Sequence, residues 1–297
     1  MRPTVVSGPW PRLQRAWDIR AACNFIGGGT GTGLILLALA AALGGADWLP
    51  ALLLGLLFVG FGLTMVLFEI GRPWRALNVF LHPQTSWMTR EGVLALPLFG
   101  AGVAAAAAEW LGWHGAALAG LSVAAVSAAG FLYCQARILR AARGIPSWRE
   151  PALTPYILVS GLTEGAGLLA VVHAGAPWAS VVLLALLLVR AGVWHHYRET
   201  LARRGAPAAT LEVLGRLTPR LLAVGHAAPA GLLVAALTLQ WPPLAVAAGL
   251  VAAGCGWRAK LVLITRAAQT QGFAIPRTPI RGRGTSRTAA KPGWSSQ

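Results

Sequence analysis

The chain has little charge, little of that charge is negative, and it has few cysteines. Only 11% of its 297 residues are Asp, Glu, Lys or Arg, against 56% hydrophobic, and the mean hydropathy is +0.61. That excludes an ordinary water-soluble domain, in which about a quarter of residues are charged, and points to a polytopic membrane protein. The three cysteines, Cys23, Cys134 and Cys255, fall in or at the edge of separate apolar runs and form no CxxC pair. An iron–sulfur cluster takes about four thiolates, so this chain is expected to hold no such cluster and no metal. The alternating pattern and turn spacing of an outer-membrane barrel are also lacking, which leaves helices as the structure that satisfies its backbone in lipid.

Eight runs are long enough to span, by the rule of about 20 apolar residues per helix: 22–44, 49–69, 92–113, 115–137, 155–174, 177–196, 220–239 and 243–265. The formal net charge of +16 would suggest nucleic acid in a soluble protein, but its distribution gives another reason. Counting the residues at the inner ends of runs (Arg137, Arg190, Arg220, Arg258 and Lys260) with the adjoining connection, the 25 lysines and arginines fall 4 before the first run, 3 between the second and third, 4 between the fourth and fifth, 6 between the sixth and seventh, and 8 from Arg258 onward. The alternate connections carry none and hold Trp48, Trp110, Trp113, Trp178 and Trp241 instead. This is the positive-inside pattern with an aromatic belt opposite. It predicts an all-α, eight-helix bundle over residues 1–265 in the cytoplasmic (inner) membrane, N-in and C-in, with lipid and not nucleic acid as its partner. Arg12, Arg15 and Arg20 before the first run imitate a signal peptide, but that run exceeds an h-region of about 7–15 residues, so it reads as an uncleaved first helix. Residues 266–297 are rich in Pro, Gly, Ser and Arg. They read as a disordered basic cytoplasmic tail near anionic headgroups, with contact to a partner subunit as the alternative.

Several polar residues stand out against this background. The run GGGTGTG at 27–33 lacks the lysine of a phosphate loop and fits no G-x-G-x-x-G register. Its pairs Gly27/Gly31 and Gly29/Gly33 are small-xxx-small signals for close helix approach. Asn24, one turn before Gly28, borders a face of little bulk that either admits a flat ring or serves ordinary packing with Asn24 as an interhelical hydrogen bonder. The stretch 69–92, EIGRPWRALNVFLHPQTSWMTREG, places Glu69 at the end of the second run, Arg72 to Thr89 in an interfacial connection and Glu91 at the opening of the third. It reads either as an amphipathic connector or as a site, with Glu91 a candidate proton donor or acceptor beside arginines. Glu164 lies about 15 Å deep in the fifth run at about 1.5 Å per residue, with Arg190 of the sixth as the expected partner, in a structural ion pair or a proton relay. Among six histidines only His226 is well inside a run, so no haem is expected.

These residues resemble a family: the quinone-reactive membrane-anchor subunits of molybdopterin oxidoreductases, of the NrfD/PsrC/DmsC type. The resemblance rests on Gly71, Pro73, Arg75, Ala76 and Asn78 in GRPWRALN, followed by SWMTRE at 86–91. WDIRAACNFIGGG from Trp17 and ARGIPSWREP at 142–151 are similar to the branch serving phenylacetyl-CoA:acceptor oxidoreductase-like enzymes. The resemblance implies a quinone- or quinol-binding anchor (menaquinone or ubiquinone) of a complex for anaerobic respiration, without haem or iron–sulfur cluster of its own. It further implies electron exchange with a ferredoxin-like iron–sulfur subunit joined to a molybdopterin (Mo or W) catalytic subunit on the cytoplasmic side. Glu91 matches a family glutamate of the quinol pocket, and Asn24 lies where polysulfide-type anchors place polar first-helix residues. Glu69 stands where the dimethyl sulfoxide type has a histidine, leaving a carboxylate for proton transfer.

The expected quinone pocket therefore comprises Asn24, Arg75, His82, Trp87 and Glu91, with Glu69, Glu91 and Glu164 as proton-handling groups. The alternative from another class is an ion or small-solute transporter using Glu164 and Arg190, although no inverted repeat or paired broken helix marks one.

Overall fold

The computed structural model describes residues 6–7, 10–70, 78–81, 84–275 and 291–292. Among them, eight helical spans are long and apolar enough to cross a membrane. They are built from α1 (Ile19–Leu43), α2 (Leu49–Ile70), α3 (Trp87–Trp110), α4 (His114–Ala141), α6 (Leu153–Val172), α7 (Pro177–Arg203), α8 with α9 (Ala208–Leu222 and Ala228–Leu239) and α10 (Pro242–Thr265), with α5 a single turn (Pro146–Arg149). A π-helical turn, Ala223–Ala227, joins α8 to α9. Three very short strands, β1 (Val6–Ser7), β2 (Phe273–Ile275) and β3 (Lys291–Pro292), pair antiparallel in that order.

The helices run longer than the apolar runs. α3 begins at Trp87 because the Ser86 hydroxyl caps it, accepting from Thr89 N at 3.2 Å, so Glu91 sits in its second turn and not at its opening. α7 continues to Arg203 through RETLAR, good helix formers tied by Arg203 Nη2 to Glu199 Oε2 at 3.0 Å. α8 starts at Ala208, well before the apolar run that follows it. These extensions are polar on one side, so hydropathy alone ends too early.

The two ends of the bundle differ. At one end the helices reverse in short turns, each through a single left-handed residue: Gly45, Gly112, Gly175 and Gln240. That conformation satisfies the last carbonyls of a helix and is open chiefly to glycine. The other end carries the described arginine-rich connections and the described segments before α1 and after α10. There the segment after α10, taken from sequence as a tail, is tied down over its first residues: Gln14 N donates to Ala268 O (3.0 Å), Thr270 N to Arg12 O (2.7 Å) and Gln271 N to Gly144 O (2.8 Å). Trp148 stacks on Trp17 at 4.8 Å and donates from Nε1 to Leu263 O (3.1 Å), while Ser147 Oγ donates to Ala267 O (3.2 Å). The ARGIPSWREP stretch is thus a plug that locks the segments flanking α1 and α10 to the bundle.

α1 is the central helix. It packs most extensively on α2 and α6, and also on α4 and α10. Its glycines explain this. A β-carbon on Gly27 would lie 2.5 Å from Phe58 O, and one on Gly31 would strike Gly55 O and lie 2.8 Å from Val59 N, both on α2. A β-carbon on Gly33 would strike Gly161 O of α6. The face considered able to admit a flat ring is therefore filled by neighbouring backbone, as close-packed helices in lipid require. Overpacking of this kind costs about 1–3 kcal/mol. Gly33→Ala is expected to destabilise the purified protein by that amount in detergent unfolding, whereas Gly100→Ala, where a β-carbon meets nothing within 4 Å, leaves unfolding unchanged.

Candidate functional site

Two buried polar clusters meet on α1, and the glycine run makes both. In the first, Gln135 of α4 reaches α1 where Gly28 leaves room for its amide, and Nε2 donates to Asn24 O at 3.0 Å. Asn24 is buried, with Gly62 of α2 closing over it: a β-carbon there would lie 3.2 Å from Asn24 Oδ1. Glu91 comes from α3 and places its carboxyl beside the side chains of Gln135 and Asn24. All three are at most 6% exposed, yet among the described residues Asn24 Oδ1, Glu91 Oε1 and Gln135 Oε1 have no hydrogen-bond partner. Unpartnered buried acceptors cost roughly 1–3 kcal/mol each, so three together call for an explanation.

Trp87, one turn before Glu91 on the same side of α3, lies edge-on to Tyr133 (5.8 Å) with the guanidinium groups of Arg90 and Arg137 over its ring at 4.2 and 4.4 Å. Arg137 Nη1 also donates to Tyr133 Oη at 2.6 Å. Glu69 is half-buried at the end of α2, two turns and about 10 Å beyond Gly62 on the same stripe at about 1.5 Å per residue, so it stands apart from the Asn24 cluster. Near it, Arg20 donates from Nη1 to Phe68 O (2.9 Å) and pairs with Asp18 (2.8 Å). Asp18 caps α1 through Arg20 N. The bond from the Arg20 side chain, then the one from its backbone N–H, holds the Asp18 carboxyl below its ordinary value. Arg75 and His82 lie outside the described residues.

The second cluster holds Glu164, but with a different partner from the one expected. Its Oε2 takes Lys260 Nζ of α10 at 2.7 Å and Thr30 Oγ1 of α1 at 2.7 Å, and its Oε1 takes Ser160 Oγ at 2.9 Å. Lys260 and Glu164 are fully buried, and Lys260 Nζ also donates to Phe25 O at 3.1 Å, in the space that Gly29 leaves. Arg190 is not the counter-ion. It donates from Nε to His226 Nε2 (3.1 Å), from Nη1 to Ala252 O (3.2 Å) and from Nη2 to Gly225 O (2.7 Å), the last exposed by the π turn. Lys260 wins because its four-carbon stem leaves α10 directly opposite Gly29, whereas the Arg190 fork finds carbonyls nearer. His226 bonds Leu221 O through Nδ1 (2.8 Å), so both ring nitrogens are engaged by protein groups.

A family model described as polysulphide reductase, NrfD, matches residues 12–180, more than half of the chain. The chain belongs to the NrfD family. No curated protein matches it. The family match spans α1 to α6 and the start of α7, so it includes Asn24, Glu91, Gln135 and Glu164 and stops short of Arg190, His226 and Lys260. NrfD chains are membrane-anchor subunits of oxidoreductase complexes, and the eight apolar helices make this one a multi-pass membrane protein.

Within this NrfD anchor, sequence reasoning brought Asn24, Trp87 and Glu91 to one region and missed Gln135 and Lys260. A signal existed for both: each is a polar residue inside an otherwise apolar helix, which is rare unless paired or functional. Among the described residues no group of three or more His, Cys, Asp or Glu is placed to hold a metal. Breaking a buried ion pair by removing one partner costs about 3–5 kcal/mol, while removing both is far milder. Lys260→Met is expected to lower folded yield and melting temperature sharply, and Lys260→Met with Glu164→Gln to restore most of the loss; a thermal melt of the three proteins in detergent checks this.

Proposed function

We propose that this NrfD anchor binds quinol at the Asn24–Glu91–Gln135 cluster and exchanges electrons with an iron–sulfur partner subunit docked at the basic end of the bundle. The observation carrying this reading is the trio of buried oxygens, one from each of three helices, that have no partner among the described residues. Acceptors suit a quinol, whose two hydroxyl groups are donors. A quinone–quinol couple of the menaquinone or ubiquinone type, when bound, supplies two-electron, two-proton chemistry. Asn24 and Gln135 would orient the headgroup, and Glu91 would accept a hydroxyl proton. Glu91 is the base in this reading because it is the carboxylate of the cluster, beside the Gln135 and Asn24 side chains. Trp87, fixed between Tyr133 and two guanidinium groups, would wall the cluster toward the connection. Half-buried Glu69, near the Arg20–Asp18 pair, would pass a proton outward.

The finer assignments follow from charge and family. The density of arginine at one end supports a cytoplasmic orientation of that end, in an inner membrane, with a molybdopterin catalytic subunit beyond the iron–sulfur partner. Because Glu164 is satisfied by Lys260, Thr30 and Ser160, it is assigned to holding α1, α6 and α10 together, not to a transport path.

Two outcomes test this. Glu91→Gln is expected to lower quinol-coupled turnover of the assembled complex by 10²-fold or more, of the order of losing a general base, while turnover with an artificial electron carrier persists; unchanged quinol kinetics would remove Glu91 from the site. For orientation, Arg143→Cys should resist a membrane-impermeant thiol reagent in intact cells and react once they are permeabilised, with Gly112→Cys behaving oppositely.

A further inference from the structure

The basic end carries a pocket that the quinol reading does not use. It has a volume of about 410 Å³ and lies where the plug between α4 and α6 meets the turn after α7, lined by Arg140, Arg143, Arg149, Glu150, Leu201 and Arg204 among others. Four guanidinium groups surround one carboxylate. Glu150 is buried and takes Arg204 Nε at 3.5 Å; Arg149 Nη1 is steered by Arg143 O at 3.2 Å. Among the described residues no ion-pair or hydrogen-bond partner engages the side chains of Arg140 and Arg143. Pro146 and Pro151 in the wall fix the backbone that carries Arg149 and Glu150. The pocket is thus a rigid, electropositive hollow with guanidinium forks to spare, and forks of this kind match phosphate oxygens in pairs.

The helix face below it shows which anion fits. Val126, Tyr133 and Arg140 recur at seven-residue spacing on α4 and therefore share one face, and Val126 and Tyr133 are exposed at 73% and 39%. In a membrane that exposed stripe is lipid-facing, with Tyr133 at the level where aromatic rings settle. Arg140 stands about 10 Å further on at about 1.5 Å per residue, and its side chain leans toward the α4 N-terminus, back to the membrane. A soluble anion has no use for the stripe, whereas an acyl chain lies along it while the headgroup enters the hollow.

We propose that this pocket holds the phosphodiester of an anionic phospholipid, with Arg140 and Arg143 as its main ligands and the acyl chains along the Val126–Tyr133 stripe. Basic pockets at the charged end of helix bundles recognise anionic headgroups in this way. The occupant ties α4 to α7 through Arg140 and Arg204, across the plug that locks the segments flanking α1 and α10.

The test uses the full chain purified in detergent and challenged with phosphatidylglycerol, phosphatidylcholine or inorganic phosphate, read by native mass spectrometry and thermal unfolding. Phosphatidylglycerol should bind and raise the melting temperature, phosphatidylcholine should not, and inorganic phosphate should neither stabilise nor displace the lipid. Each of Arg140→Gln and Arg143→Gln should weaken phosphatidylglycerol binding about fivefold, the usual worth of one cation at an anionic surface. Arg15→Gln, outside the pocket, should leave binding unchanged. Arg140 is exposed, so its variant folds with least risk and carries the decision if the other does not. Equal binding by the Arg140 variant, equal binding of the two lipids, or full displacement by inorganic phosphate would each overturn the proposal, the last by making this a free-anion site.

Discussion

The close approach of four helices to α1 is the constraint on which everything else rests. Without a hydrophobic driving force between helices inside lipid, association depends on backbone contact and interhelical hydrogen bonds. The run from Gly27 to Gly33 provides both at once. Gly27 and Gly31 admit α2, Gly33 admits α6, and Gly28 and Gly29 open sockets for the Gln135 amide and the Lys260 ammonium. Those two side chains then bind consecutive α1 carbonyls, Asn24 O and Phe25 O. One short stretch without side chains thus organises a polar cluster on either side of the same helix.

The two clusters differ in how completely they are satisfied among the described residues. Around Glu164 a carboxylate, an ammonium and two hydroxyl groups close on one another. Their desolvation is offset internally, as a buried charge in hydrocarbon demands. Around Glu91 three helices each bring a buried oxygen that has no hydrogen-bond partner among the described residues. The first is a closed ion pair that holds helix positions; the second is where the proposed quinol reading places its ligand.

The fold was largely legible in the sequence. Span number followed from apolar length, and segregation of basic residues to alternate connections paired the helices into hairpins. Helix ends were less legible: α7 and α8 extend as amphipathic helices whose polar faces defeat a hydropathy window. Asn24 and Glu91 were legible as anomalies, charged or amide groups near oily runs. The partner of Glu164 was not, because reach across a bundle depends on which neighbour offers a gap, and Gly29 offers it to Lys260 and not to Arg190.

What the sequence by itself determined is the membrane-spanning helical architecture and the uneven distribution of charge between its two ends, since both depend only on composition along the chain and its solvent. What only the tertiary structure decided is which buried polar groups answer one another: Gln135 with Asn24, Lys260 with Glu164, Arg190 with His226. These pairs join helices separated by tens to hundreds of residues, and their choice turns on a few ångströms of space left by absent side chains. No one-dimensional pattern encodes that distance.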